Sequence, residues 1–133
     1  MGGTEQNNPY KGRPLRPWIR VRLATNAGTF LELELLADTG NPCALIVSRA
    51  SMASVKVGRI PNASSNFGIL RGGRIRLAMP EMGLDRTIVG YASDEVCQVA
   101  RASHADFQGL AGLPLLRMAE YGGDADHFWF KKR

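Results

Sequence analysis

The chain has 133 residues and carries 17 Lys plus Arg against 12 Asp plus Glu, a formal net charge of +5. That length suits one domain with a core of its own and excludes modular architectures and large cofactor folds, while the charge is a mild cationic bias. With 15 glycines against a usual share of about 7%, and no Gly-X-Y period, many tight turns are expected.

Residues 1–17 are polar, cationic and rich in glycine and proline, without a hydrophobic period; they read as a flexible basic N-terminal arm ahead of a domain at 18–133. From Trp18, Arg20 and Arg22 alternate with Ile19, Val21 and Leu23, the period of a half-buried strand. Thr25-Asn26-Ala27-Gly28 is a turn. Alternation resumes over 29–36, with Leu31, Leu33 and Leu35 opposite Glu32 and Glu34, which predicts a hairpin. Residues 37–42 are turn-rich and lead into Ala44-Leu45-Ile46-Val47, a short apolar run suited to a buried strand. Residues 48–54 suit one or two helical turns, and 56–70, with Gly58, Pro61, Asn62 and Gly68, read as a long mobile loop. A second hairpin follows at 74–79 and 85–92. Pro114 suits the first turn of a helix to about Tyr121, closed by Gly122-Gly123, and 126–132 is a last strand. Short strands at this spacing with two small helices predict an all-β barrel or sandwich.

No apolar run approaches the roughly 18 residues of a membrane helix, and no charged, apolar, small-residue leader opens the chain. The expectation is no membrane contact, a reducing cytoplasm, and free thiols at Cys43 and Cys97. His104 and His127 lie far apart in sequence and share no ligand spacing with either cysteine, so neither a metal nor another cofactor is expected.

One carboxylate differs from the others in its setting. Asp38 ends an apolar strand and precedes a glycine turn. Desolvating an ionised carboxylate there is costly unless it is hydrogen-bonded, paired or protonated, and Thr39 and Gly40 offer a hydroxyl and an N–H that can approach closely. An ordinary Asx turn between strands accounts for the same residues without any chemistry.

Leu35-Leu36-Ala37-Asp38-Thr39-Gly40 resembles the hydrophobic-hydrophobic-x-Asp-Thr-Gly loop of the aspartic proteases. Leu110-Ala111-Gly112, followed by Leu113-Pro114-Leu115-Leu116, is similar to the family's second element, an apolar pair and a glycine that pack against the catalytic loop and open a short helix. Thr87-Ile88-Val89-Gly90 is similar to its inner strand. The resemblance covers about residues 18–121 and is to the single-lobe, retropepsin-like enzymes rather than the two-lobed pepsins. It implies an all-β, retropepsin-like acid protease barrel, a single lobe with one short C-terminal helix, acting as an aspartic-type endopeptidase. On that basis Asp38, Thr39 and Gly40 form the catalytic loop, Leu110, Ala111 and Gly112 support it, and 57–70 is a flap. Asn41, Asn62, Phe67, Gly68 and Ile69 are the implied contacts to a peptide or protein substrate.

The mechanism needs two aspartates, and this chain has one Asp-Thr-Gly, so a symmetric homodimer is implied. Phe128, Trp129 and Phe130, with 18–23, are the candidate dimer contact; a strand folded onto its own core explains the same aromatics. Asn41 stands where a small residue is usual, Pro42 and Cys43 replace polar residues, and Leu113 replaces a charged one. A catalytically inactive peptide-binding or interaction module of the same fold is therefore the alternative. Basic residues from Lys11 to Arg22 and at 131–133 alternate or end the chain as solvated charge does, so no nucleic-acid partner is expected.

Overall fold

The computed structural model describes residues 4–102 and 105–133. Its first strand, β1 (Glu5–Pro9), lies within the segment whose composition suggests a flexible arm. Side-chain amides hold it in place. Gln6 Nε2 donates to the Arg20 carbonyl at 2.6 Å, Gln6 Oε1 accepts the Arg20 N–H at 2.7 Å, and Asn8 Nδ2 donates to the Trp18 carbonyl at 3.0 Å. Both amides are buried, and hydrophobic periodicity cannot register polar groups buried by mutual satisfaction.

Alternation does decide the next two strands. β2 (Trp18–Ala24) and β3 (Phe30–Asp38) pair antiparallel from Trp18↔Leu36 to Ala24↔Phe30, with Ile19, Val21, Leu23, Leu33 and Leu35 buried. The chain continues through β4 (Leu45–Val47), α1 (Arg49–Val55), β5 (Lys56–Arg59), β6 (Ala63–Ser65), the long β7 (Gly68–Met79), a 3-10 turn (Pro80–Met82) and β8 (Leu84–Ala92). α2 (Asp94–Arg101), β9 (Gly109–Gly112), α3 (Leu113–Leu116), β10 (Glu120–Gly123) and β11 (His127–Lys131) follow. The fold is mostly β, 52% strand and 17% helix. Strands β2-β3-β9-β4-β8-β7 run in that order around a closed six-stranded barrel, sealed where Leu23 of β2 meets Leu77 of β7. The interior is filled by inward residues of these strands, joined by Met52 and Val55 of α1, Leu115 and Leu116 of α3, and Phe128 and Phe130 of β11.

Four further segments depart from the sequence reading. Residues 56–70 form a hairpin rather than a loop: β6 pairs with the start of β7 through Ala63↔Leu70, Ser64↔Ile69 and Ser65↔Gly68, turning at Asn66-Phe67. Gly72 is a site of close packing there, since a Cβ would press on Ile60 and the Pro61 carbonyl. α2 was not foreseen, although its signals are present: Ser93 Oγ accepts the Val96 N–H at 3.2 Å, Asp94 and Glu95 occupy the first turn, and Arg101 the last. It packs against β9 and β4, and its Ala100 joins Trp18 and Phe107 in a second small core.

The helix expected to reach Tyr121 ends at Leu116, because Glu120–Gly123 instead pairs with β11 through Glu120↔Lys131 and Tyr121↔Phe130. Finally, β11 is the central strand of the sheet β1-β11-β10. Both its edges are paired within the chain and Phe128 and Phe130 are in the chain's own core. Phe128 and Phe130 thus fold onto the chain's own core, which accounts for them without a second subunit. His104 lies outside the described residues.

Candidate active site

β9 is threaded between β3 and β4. It runs parallel to β3, with Leu36↔Leu110, Ala37↔Ala111 and Asp38↔Gly112 in register, and antiparallel to β4. The connection from β3 to β4 must therefore pass around the end of β9. Backbone hydrogen bonds fix the crossing: Gly112 N–H donates to the Ala44 carbonyl at 3.0 Å and Leu113 N–H to the Asn41 carbonyl at 3.0 Å. A Cβ on Gly112 would collide with the carbonyl oxygens of Cys43 and Asn41, so this approach requires glycine. Asp38-Thr39-Gly40 and Leu110-Ala111-Gly112, distant in sequence, are brought together in this way.

Asp38 is half-buried, and its loop is a tight turn. Gly40 N–H donates to Asp38 Oδ1 at 3.1 Å, and Asn41 N–H donates to the Asp38 carbonyl at 3.1 Å. The carboxylate is thus oriented by the glycine N–H while remaining open to solvent. Thr39 is exposed and its hydroxyl has no partner among the described residues. The Asn41 side chain serves the backbone: its Oδ1 accepts the Cys43 N–H at 2.9 Å and tightens the turn toward β4.

Three adjoining hollows pass this loop. The first, about 510 Å³, is bordered by Arg13, Arg16, Asp38 and Thr39; the second, about 470 Å³, by Thr39, Gly40, Asn41 and Leu113. The third, about 440 Å³, is bordered by Cys43, Ile88, Val89 and Tyr91. Thr39 borders the first two and Pro42 and Pro114 the last two, so the three hollows are neighbours, together termed the trough, with Asp38 on the wall of the first.

The hairpin residues implied as substrate contacts are not part of it. Asn62, Phe67, Gly68 and Ile69 border none of the three hollows. Asn62 Oδ1 instead accepts the Gly72 N–H at 3.0 Å and fixes the bend of the hairpin, while Phe67 and Ile69 are 49% and 68% exposed at its tip. Gly68 adopts φ +93 just after the turn, a conformation that glycine permits. The residues that sequence reading missed are arginines: Arg13, Arg16, Arg86, Arg117 and Arg133 all border the trough.

Both cysteines are free thiols. Burial pushes Cys97 up to about 11, with Arg101 opposing and Asp94 reinforcing the shift, and burial also raises Cys43, so neither is a thiolate nucleophile near neutrality. Away from the trough, burial raises the Glu34 carboxyl, but hydrogen bonds from Lys11 and Arg20 and their charges outweigh it and hold the group below its ordinary value. Asp124 is lowered by the N–H groups of Asp126 and His127, each 2.8 Å from its Oδ1, and serves the turn between β10 and β11. Among the described residues no group of three or more His, Cys, Asp or Glu side chains could hold a metal ion, and no helix is long and apolar enough to cross a membrane.

No protein-family model, curated protein or solved structure matches the chain.

Proposed function

We propose that the chain is one subunit of a retropepsin-like aspartic endopeptidase whose active unit is a homodimer. The observation that carries this reading is the threading of β9 between β3 and β4. It leaves an Asp-Thr-Gly carboxylate at a strand end, gripped by Gly40 N–H, backed by Leu110-Ala111-Gly112 and open to a trough. In the dimer the two Asp38 carboxylates stand about 3 Å apart and share one proton, because like charges so close cannot both ionise. The ionised member takes a proton from a bound water as the water oxygen attacks the peptide carbonyl carbon, and the protonated member donates to the carbonyl oxygen. Collapse of the resulting diol breaks the C–N bond as the amine receives a proton. No acyl-enzyme forms.

The strand edge suited to a second subunit is the outer edge of β10, which pairs with no other strand among the described residues. Arg133 borders both the hollow beneath the Asp38 loop and the one along β10, so that edge lies beside the loop. Antiparallel β10–β10 pairing would extend the three-stranded sheet across the two-fold axis and bring the two loops toward it.

The test offers purified protein an unbiased peptide mixture from about pH 3.5 to 7, beside Asp38→Asn, with sedimentation in parallel. Expected are cleavage by the wild type, a loss of about a thousandfold or more in the variant, and dimers at tens of micromolar. Cleavage that persists in Asp38→Asn removes Asp38 from the mechanism, and cleavage by a strict monomer removes the symmetric site. The alternative, a catalytically inactive peptide-binding module of this fold, is favoured by one observation: Phe67 and Ile69 do not border the trough that holds Asp38. Peptide binding without cleavage at any pH selects it.

A further inference from the structure

Every ion pair among the described residues lies away from the trough. Arg20 pairs with Glu32 and Glu34, Arg22 with Glu81, Arg76 with Asp85, Lys11 with Glu34 and Lys131 with Glu120. The trough itself is bordered by Arg13 and Arg16 in its first hollow, Arg117 and Arg133 in its second and Arg86 in its third. All five are exposed, and none has a carboxylate partner among the described residues. Among the described residues the one carboxylate side chain on the trough wall is that of Asp38. The sequence reinforces this asymmetry, since no acidic residue occurs between Asp38 and Glu81. A concave surface lined by one sign of charge concentrates ligands of the other sign.

We propose that the trough selects acidic peptide segments, with carboxylate side chains along its length and an uncharged residue at the position that faces Asp38. This rests on the reading of the trough as a peptide cleft. Arginines border all three hollows, Arg13 and Arg16 sharing the first with Asp38, so carboxylates of a bound chain meet arginines along the trough while the residue opposite Asp38 is uncharged. A peptide can leave that gap, because its charges sit on chosen side chains. A nucleic acid cannot, because each phosphate is charged and one would face Asp38. The lining also suits a peptide: Leu36, Pro42, Leu113 and Pro114 are apolar, Trp18 and Phe107 are buried, and Tyr91 in the third hollow is the one aromatic ring bordering the trough among the described residues, too few for a run of stacked bases. Exposed single pairs are worth a few-fold each, so several acting along one trough amount to about tenfold or more.

The experiment measures fluorescence anisotropy of Asp38→Asn protein with three labelled peptides of one design, flanked by Glu and Asp, by Gln and Asn, or by Lys, and with a single-stranded oligodeoxythymidine. Salt is set at about 50 and about 300 mM. Expected is at least about tenfold tighter binding of the acidic peptide than of its amide counterpart, shrinking several-fold at the higher salt. Arg86→Glu/Arg117→Glu, both at exposed positions, should erase that preference while circular dichroism and melting stay unchanged. Equal binding of acidic and amide peptides overturns the proposal, as does tighter binding of the oligonucleotide that is lost in the same double variant. Cleavage by the wild type is scored on the same peptides. Acid preference without cleavage removes the peptidase and leaves this proposal standing, while cleavage without acid preference does the reverse.

Discussion

Around the sheet β1-β11-β10 and its neighbours β2 and β3, polar groups find their partners within the chain. Gln6 and Asn8 satisfy the backbone of β2, Glu34 accepts from both Lys11 and Arg20, and the Lys11 ammonium lies 4.1 Å from the Trp18 ring centroid. No buried side-chain nitrogen or oxygen among the described residues lacks a hydrogen bond. Along the trough the pattern reverses: arginines stand without carboxylates, and Asp38 is half-open. Polar groups that stabilise the fold are internally satisfied, and polar groups left unsatisfied on a concave surface are available to another molecule.

Substitutions on the two sides should therefore differ in what they disturb. The largest effect is expected where the trough depends on backbone rather than on charge. Gly112→Val drives a branched side chain into the Cys43 and Asn41 carbonyls and should lose about 4 kcal/mol or more, or fail to fold, by urea denaturation. Near-wild-type stability would mean that the loop does not cross β9 as described. On the sealed side, Gln6→Ala strips both partners from the Arg20 backbone and should cost about 2 kcal/mol, whereas Arg13→Ala on the trough should stay within about 0.5 kcal/mol. Equal losses would erase the contrast.

The smallest effect is pH-dependent. Because the Glu34 carboxyl is held below its ordinary value in the fold, the unfolded chain takes up that proton first as pH falls. Its contribution is complete above about pH 4.3, the ordinary glutamate value, and vanishes as pH drops through the lower folded value. Glu34→Gln should thus lose about 0.5 kcal/mol at neutral pH, after allowance for solvent screening, and nothing at strongly acid pH. A difference that grows toward acid would reverse the sign of this assignment.

What could be read in the sequence depended on which force shaped each segment. β2 and β3 were legible because burial on one face writes itself as alternation, and Asp38, Gly40 and Gly112 were legible because tight turns and close backbone approach restrict residue type. β1 was not, since its strand is held by two buried amides whose partners lie on β2. α2 carried readable capping and charge signals and was missed between a strand and a connecting loop. β10 looked like the end of a helix because Gly122-Gly123 suits a helix terminus as well as a strand packed under Trp129. The trough arginines come from residues 13 to 133 and no local pattern unites them.

The threading of β9 also sets an order of events. The loop that carries Asp38 meets its backing only when Gly109–Gly112 has entered between β3 and β4, and the chain between Asp38 and Gly112 must be closed into a long loop before that contact can form. Contacts of such sequence separation form late in folding. During synthesis the chain through Gly112 must leave the ribosome before the Asp38 loop can meet β9. A nascent or truncated chain would hold the aspartate without the geometry around it.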